Sequence, residues 1–152
     1  MRYEGVMNAY IKNSLLYIQD AENTEKKILN KIPFAGMFRW HVSGDIVSKA
    51  YFEMMVRIAK KRPNVLFMAF TKKFEIVNDW MDENGTLPKN LNMIFSHWIG
   101  ETVPNPNNLP LSVVRFKKSE NEHLEGLDLI ECPSNDKDWD GSCSTCAICW
   151  KP

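Results

Sequence analysis

Cysteine is absent from the first 131 residues of this 152-residue sequence, and all four cysteines fall within the last 21. Disulfide bonds would need an oxidising compartment, and no other feature of the sequence indicates one. In a cytoplasmic chain, clustered cysteines more often bind a metal or carry out redox chemistry. The cysteines therefore predict a metal centre near the C-terminal end.

Long apolar runs are also absent. The run Val65–Phe70 is among the longest, far below the roughly 18–20 residues that cross a bilayer. The first six residues lack the apolar core of a signal peptide. No Walker-type phosphate loop, G-x-G-x-x-G or G-x-S-x-G motif occurs. We therefore expect a cytoplasmic protein with no membrane span, and we find none of these nucleotide-binding or hydrolase signatures.

Basic side chains are scarce in the last quarter of the chain. Residues 119–152 carry eight acidic and two basic side chains, a net charge of −6, so the other 118 residues carry +6. We interpret residues 1–118 as an α/β body and 119–152 as an acidic cysteine-rich tail packed on the same domain. The positive body could attract a nucleic-acid or protein partner, or it could be a solvated lysine-rich face.

Apolar periodicity and breaker residues predict two helices followed by alternating strands and helices. Asp45 is placed to cap the third helix, and prolines and asparagines keep residues 100–110 as a loop. The predicted helices span residues 2–19, 21–32, 46–61 and 74–83, and the predicted strands span 37–41, 65–70, 91–95 and 111–116.

This alternation predicts an α/β fold with a parallel sheet of about four strands and helices between them. Three or four such units are too few for a closed eightfold barrel. We therefore expect a partial βα barrel, preceded by two helices and followed by a cysteine-rich metal-binding tail. A flat doubly wound sheet is the alternative.

The cysteines Cys132, Cys143, Cys146 and Cys149 have the spacing C-x10-C-x2-C-x2-C. Zinc sites usually divide their thiolates between two separate pairs, whereas a C-x2-C-x2-C run is more typical of iron–sulfur ligation. We therefore predict a 4Fe-4S cluster at these four residues. Zinc is the alternative, and four uncoordinated thiols would be the simplest case. Trp150 either shields the centre from water or packs as an ordinary side chain.

Polar side chains are concentrated where the predicted strands end. Ligands of parallel α/β sheets bind at this edge, and the backbone N–H groups of residues 43–45, opening a helix, could hold a carboxylate or phosphate. We therefore predict a ligand site there, with local turn and cap contacts as the alternative for each residue. The candidates are Arg39, His41, Ser43, Gly44, Asp45, Thr71, Lys72, Ser96, His97 and Arg115.

Four stretches together resemble the phage gene product 88 family, over most of residues 1–150. They are Phe38–Asp45, Val65–Lys72, Leu87–Asn90 and Cys143–Trp150. The resemblance implies a phage protein expressed in a bacterial host, with a fold similar to a shortened radical S-adenosylmethionine barrel. In that fold residues 43–45 take the position of the loop that holds the amino group of S-adenosylmethionine. The C-terminal cysteines then resemble an auxiliary cluster.

The sequence departs from the family pattern in its cysteines. Longer members carry a further cysteine group upstream of the first helix, and this sequence has none before Cys132. A radical enzyme needs one iron left open for the cofactor, whereas four cysteine ligands leave none open. We therefore expect an iron–sulfur protein that acts by binding a partner or ligand at its strand ends. The alternatives are a radical S-adenosylmethionine-like enzyme or remnant that still binds this cofactor, and a structural zinc protein.

Overall fold

Four parallel strands form one sheet in the computed structural model, which describes residues 4–98, 100–114, 132–133 and 138–150. The strands are consecutive neighbours in the order β1-β2-β3-β4. This arrangement confirms the predicted α/β fold with a four-stranded parallel sheet. The strands are β1 (Gly36–Arg39), β2 (Val65–Thr71), β3 (Leu91–Trp98) and β4 (Leu111–Val114).

Two helices precede the sheet and two connect its strands, as the sequence predicts. A fifth, short helix and a 3₁₀ turn (Ile148–Trp150) contain three of the four cysteines. None of the described helices has the length and hydropathy of a membrane span. The helices are α1 (Glu4–Gln19), α2 (Ala21–Lys31), α3 (Lys49–Lys61), α4 (Phe74–Asn84) and α5 (Cys143–Cys146).

Both connecting helices pack on the same face of the sheet. Alternate residues of a strand point to opposite faces, and Phe67 and Ala69 of β2 join one buried cluster with side chains of α3 and α4. Met68 of β2 and Ile94 of β3 form a second cluster that includes Trp150. The two connecting helices therefore cover one face of the sheet, whereas a doubly wound sheet has connecting helices on both faces. We call the other side, on which neither connecting helix packs, the helix-free face.

A charged cluster fixes α2 against α3. Glu25 is 8% exposed and accepts hydrogen bonds from Arg57 at 2.9 Å and Lys61 at 2.7 Å. Burial alone would raise the pKa of Glu25, but the hydrogen bonds and charges of Lys61 and Arg57 lower it below the usual 4.5. Because the folded pKa is lowered, this contribution to stability is present above pH 4.5. It is lost as the pH falls through the folded pKa.

Asn90 joins α3 to the start of β2. Its side-chain amide donates to the carbonyl oxygens of Ala59, Arg62 and Val65 at 2.9–3.0 Å. The loop between β3 and β4 has neither helix nor strand at residues 101–110, as predicted, and Asn78 of α4 donates to the carbonyl of Pro104 at 2.8 Å. These side-chain amides therefore connect α3 to β2 and α4 to the loop between β3 and β4.

The third helix begins later than predicted. It starts at Lys49, and Ser48 caps it by accepting from the N–H of Tyr51 at 3.2 Å. The predicted cap at Asp45 is therefore wrong, because that carboxylate bonds to the end of β2 instead. The predicted anion site at the N-terminus of this helix is wrong for the same reason, since residues 43–45 do not open it.

Two strand boundaries also differ from the predictions. The first strand ends at Arg39, so His41 lies beyond it in the loop. The third strand continues to Trp98, so Ser96 and His97 lie inside the strand. The residues at 115–131, including Arg115 and the predicted boundary at 118, lie outside the described part of the chain.

Candidate functional site

The loop between β1 and α3 is attached to the end of β2 by one carboxylate. Asp45 accepts from the Thr71 hydroxyl at 2.6 Å and from the N–H of Lys72 at 2.8 Å. It also accepts from the N–H of Ile46 at 2.7 Å. Three protein donors therefore engage Asp45, and its role in this loop is to hold the chain in place.

His41 is the residue at which the chain turns out of β1. Its φ of 51° is left-handed, a conformation uncommon for residues other than glycine. Its Nε2 lies 3.0 Å from the Tyr51 hydroxyl, and its Nδ1 is buried without a hydrogen-bond partner among the described residues. Burial lowers the pKa of His41 below 6.5, against the opposing charge of Asp45, and burial raises the pKa of Tyr51 to about 12. At neutral pH both groups are therefore uncharged.

Gly44 allows helix α1 to approach this loop. Its φ is 89°, and a Cβ atom built there would overlap the ring of Tyr10. Glycine meets both requirements, since it adopts positive φ freely and has no side chain to collide with the ring.

Replacing Gly44 by alanine is expected to destabilise the protein and to separate α1 from the loop. The positive φ alone should cost about 1–2 kcal/mol, and the overlap with Tyr10 should add to that cost. Urea unfolding gives the free-energy change, and hydrogen exchange reports the protection of α1. Gly85→Ala is the matched control, because Gly85 has a φ of 84° and nothing within 4 Å of its Cβ position. Equal losses in the two variants would contradict the proposed contact.

A cavity of about 530 Å³ lies between α1 and the loop after β1. Such a volume is within the range of small-molecule sites. Among the described residues, three tyrosines line it, together with the charged side chains Arg39 and Asp45. The polar and aromatic residues of the wall include Tyr10, Tyr17, Tyr51, Arg39, His41 and Ser43.

The predicted strand-end residues are only partly brought together. Arg39, His41, Ser43 and Asp45 line the cavity, whereas Thr71 and Lys72 support the loop through Asp45. Ser96 receives a hydrogen bond on its carbonyl from Lys72 Nζ at 3.1 Å. His97 Nδ1 lies 3.0 Å from the carbonyl of Trp98. Neither Ser96 nor His97 lines the cavity.

The cysteine-containing segment 138–150 docks on the helix-free face of the sheet. Trp150 is 8% exposed and packs with Met68 and Ile94. Asn92, itself 8% exposed, donates to the carbonyl of Cys149 at 2.8 Å. The last cysteine is thus fixed to the centre of the sheet by an apolar contact and a hydrogen bond.

Three of the cysteines lie in one short helix and the turn that follows it. Ser142 caps α5 and forms a reciprocal capping box with Thr145. Ala147 then ends the helix in a left-handed conformation, with φ 55°. That turn leads directly into the 3₁₀ turn that contains Cys149.

The three other cysteines lie close enough to Cys149 to act on its thiol. Burial raises the pKa of the Cys149 thiol, and the nearby Cys132, Cys146 and Cys143 raise it further, while Arg39 acts in the opposite direction. Cys132 and Cys143 are exposed, and Cys146 and Cys149 are half-buried. No group of three or more His, Cys, Asp or Glu side chains in the described ranges is arranged to hold a metal ion. The described residues therefore place the other cysteines near Cys149 but do not show a metal-coordination shell.

Asn92 and Tyr10 contribute to these sites, but neither is apparent as a functional residue from the amino-acid sequence. Asn92 lies in the interior of a strand, where a buried amide is unusual. An asparagine among the apolar residues of a predicted strand is the sequence signal that could have identified it. Tyr10 lies on a helix that the sequence places far from the loop, so its contact with Gly44 required the tertiary structure.

The family model described as Gene product 88 matches residues 2–152. No curated protein and no solved structure matches the chain. The family match covers the strand-end loop, the cavity and the four cysteines together, while the likeness to a radical S-adenosylmethionine barrel stays a prediction. The chain belongs to the Gene product 88 family of phage proteins.

Proposed function

We propose that Cys132, Cys143, Cys146 and Cys149 hold one 4Fe-4S cluster on the helix-free face of the sheet. The observation that supports this most directly is that Cys132, Cys143 and Cys146 all lie close enough to Cys149 to raise the pKa of its thiol, beyond the larger effect of burial. Ten residues separate Cys132 from Cys143 in the sequence, so the proximity of Cys132 to Cys149 is a property of the fold.

The chemistry of the donor set fits a metal–thiolate centre. Burial and the neighbouring cysteines raise the pKa of the Cys149 thiol, and a metal cation would remove this penalty on its thiolate. Three of the ligands lie within one seven-residue stretch, Cys143–Cys149. When bound, the cluster would supply electron transfer and would hold the segment together.

Trp150 supports the same proposal. Its indole Nε1 is buried without a hydrogen-bond partner among the described residues. A buried polar donor without a partner is costly, and the sulfur atoms of a bound cluster are hydrogen-bond acceptors. Zinc thiolates could accept in the same way, so the preference for iron–sulfur rests on the C-x2-C-x2-C run.

The proposed centre favours a role in binding or electron transfer over radical chemistry. If all four cysteines are ligands, no iron remains open to bind S-adenosylmethionine. The protein would then act through a ligand or partner at the strand ends, and the cavity between α1 and the loop after β1 is the specific observation that favours a small ligand. That the positively charged body binds a nucleic-acid or protein partner stays a prediction.

Anaerobic purification followed by elemental analysis tests the metal assignment. We expect about four iron atoms and four acid-labile sulfides per chain and an absorbance band of an iron–sulfur cluster. Anaerobic handling is essential, since zinc can replace a lost cluster at the same thiolates. One equivalent of zinc without iron or sulfide would establish the structural zinc alternative, and no bound metal would overturn the proposal.

A further inference from the structure

The side chain of Arg39 lies on the same face of the sheet as the cysteine segment. Met37, two residues before Arg39 in β1, packs on the buried cluster of the helix-free face, and alternate residues of a strand share a face. Arg39 itself is paired with Met68 of β2, a member of that cluster. The central carbon of its guanidinium lies 5.4 Å from the centre of the Phe70 ring. Arg39 therefore directs a positive charge to the helix-free face.

Phe70 connects this charge to the cysteines. Phe70 and Cys149 both pack on the buried cluster that contains Trp150. Burial and the three other cysteines raise the pKa of the Cys149 thiol, and the charge of Arg39 opposes them. No ion pair between described residues joins Arg39 to a carboxylate. The guanidinium is therefore a cation that the cysteine centre can use.

A centre with four thiolate ligands is stabilised by a positive charge beside it. Four thiolates outweigh the charge of a zinc ion or of a 4Fe-4S core, so the loaded centre is an anion. Reduction of the cluster adds one more negative charge, and the net charge around a cluster is one of the factors that set its reduction potential. Arg39 is exposed, so water and salt weaken its effect on the centre.

We propose that Arg39 is the counter-charge of the cysteine centre, where its guanidinium stabilises the metal–thiolate anion and favours the reduced form of the cluster. The proposal rests on the proposed function and adds to it a residue that is not a ligand. Phe70 positions the guanidinium by a cation–π contact with the face of its ring.

The test compares Arg39→Gln and Arg39→Lys with the unmodified chain, each purified anaerobically. Glutamine removes the charge, whereas lysine keeps it. We expect Arg39→Gln to hold the same amount of metal and to shift the redox equilibrium about threefold to tenfold toward the oxidised cluster. This shift corresponds to a reduction potential lower by about 30–60 mV. The potential is measured by titration with dithionite, followed by absorbance and paramagnetic resonance. Arg39→Lys should keep most of the original potential.

Salt separates an effect of charge from an effect of packing. Because mobile ions screen exposed charges, the difference in potential between Arg39→Gln and the unmodified chain should shrink as salt is raised to about 1 M. At low salt, a chelator should remove metal several-fold faster from Arg39→Gln than from Arg39→Lys. Lys60→Gln is the matched control, because it removes an exposed positive charge on α3, which packs on the opposite face of the sheet. It should leave both measurements unchanged.

Three results would overturn the proposal, and they are distinguishable. An unchanged potential and an unchanged rate of metal loss in Arg39→Gln, with the full complement of iron, would reject the role of Arg39 and leave the proposed cluster intact. Equal changes in Arg39→Gln and Arg39→Lys would assign the effect to packing on Phe70. One equivalent of zinc, or no metal, in the unmodified chain would reject the proposed cluster itself, and with it the effect on the potential.

Discussion

Replacing Cys146 by serine is expected to abolish metal binding and to loosen the segment that carries the cysteines. Cys146 ends helix α5 and lies between the two other cysteines of the seven-residue stretch. A serine hydroxyl is a hard and weak donor that does not replace a thiolate for iron–sulfur or zinc. Metal and sulfide per chain should fall from one full centre to near zero, as measured by elemental analysis after anaerobic purification.

The same variant should keep the sheet intact. The strands are buried by α3 and α4 on the opposite face, in a cluster that contains no cysteine. Hydrogen exchange should therefore show fast exchange confined to the cysteine segment, with β2 and β3 still protected. Ser144→Ala is the control, since Ser144 lies in the same short helix, is exposed, and has no thiol. Unchanged metal content in Cys146→Ser would show that Cys146 is not a ligand.

Replacing Trp150 by alanine is expected to release the cysteine segment from the sheet. The indole is almost fully buried against Met68 and Ile94, and truncating a buried tryptophan typically costs about 3–5 kcal/mol. The remaining attachment would include the hydrogen bond from Asn92 to Cys149. We therefore expect faster loss of metal to a chelator, although no proposed ligand has been changed.

Trp98→Ala is the control for loss of a tryptophan from the same sheet. Trp98 is 37% exposed at the end of β3, where Lys72 Nζ lies 4.2 Å from its ring centroid. Its removal should change the rate of metal loss little. The measurements are the chelator-induced decay of the cluster absorbance and hydrogen exchange of residues 138–150. Equal rates of metal loss in Trp150→Ala and the unmodified protein would show that docking on the sheet does not stabilise the centre.

Much of the body was predictable because its signals are local. The apolar run at Val65–Phe70 forms the buried strand β2, and the alternation of strands and helices gives the parallel sheet. The helix boundary at Asp45 was not predictable in this way. An aspartate before a helix is typical of a cap, but here Thr71 and Lys72 compete for the carboxylate, and they are distant in sequence.

The sequence predicted which loop contributes to the candidate site, but it did not predict all the residues that surround the cavity. The loop after β1 was identified from its polar residues, since sequence order places it at the strand ends. The other wall of the cavity comes from α1, whose approach depends on the absence of a side chain at Gly44. Ser96 and His97 were assigned to the site because β3 was predicted to end at residue 95, and the backbone pairing with β4 extends it to Trp98.

The sequence by itself determined the parallel α/β fold, the membership of the family and the set of four cysteines as the candidate ligands. These depend on residue identity, periodicity and spacing along the chain. Only the tertiary structure decided which face of the sheet the cysteines meet and which residues surround the cavity. Those outcomes depend on contacts between distant segments, such as Asn92 with Cys149 and Tyr10 with Gly44, and the free energy of such contacts is not encoded in any local pattern.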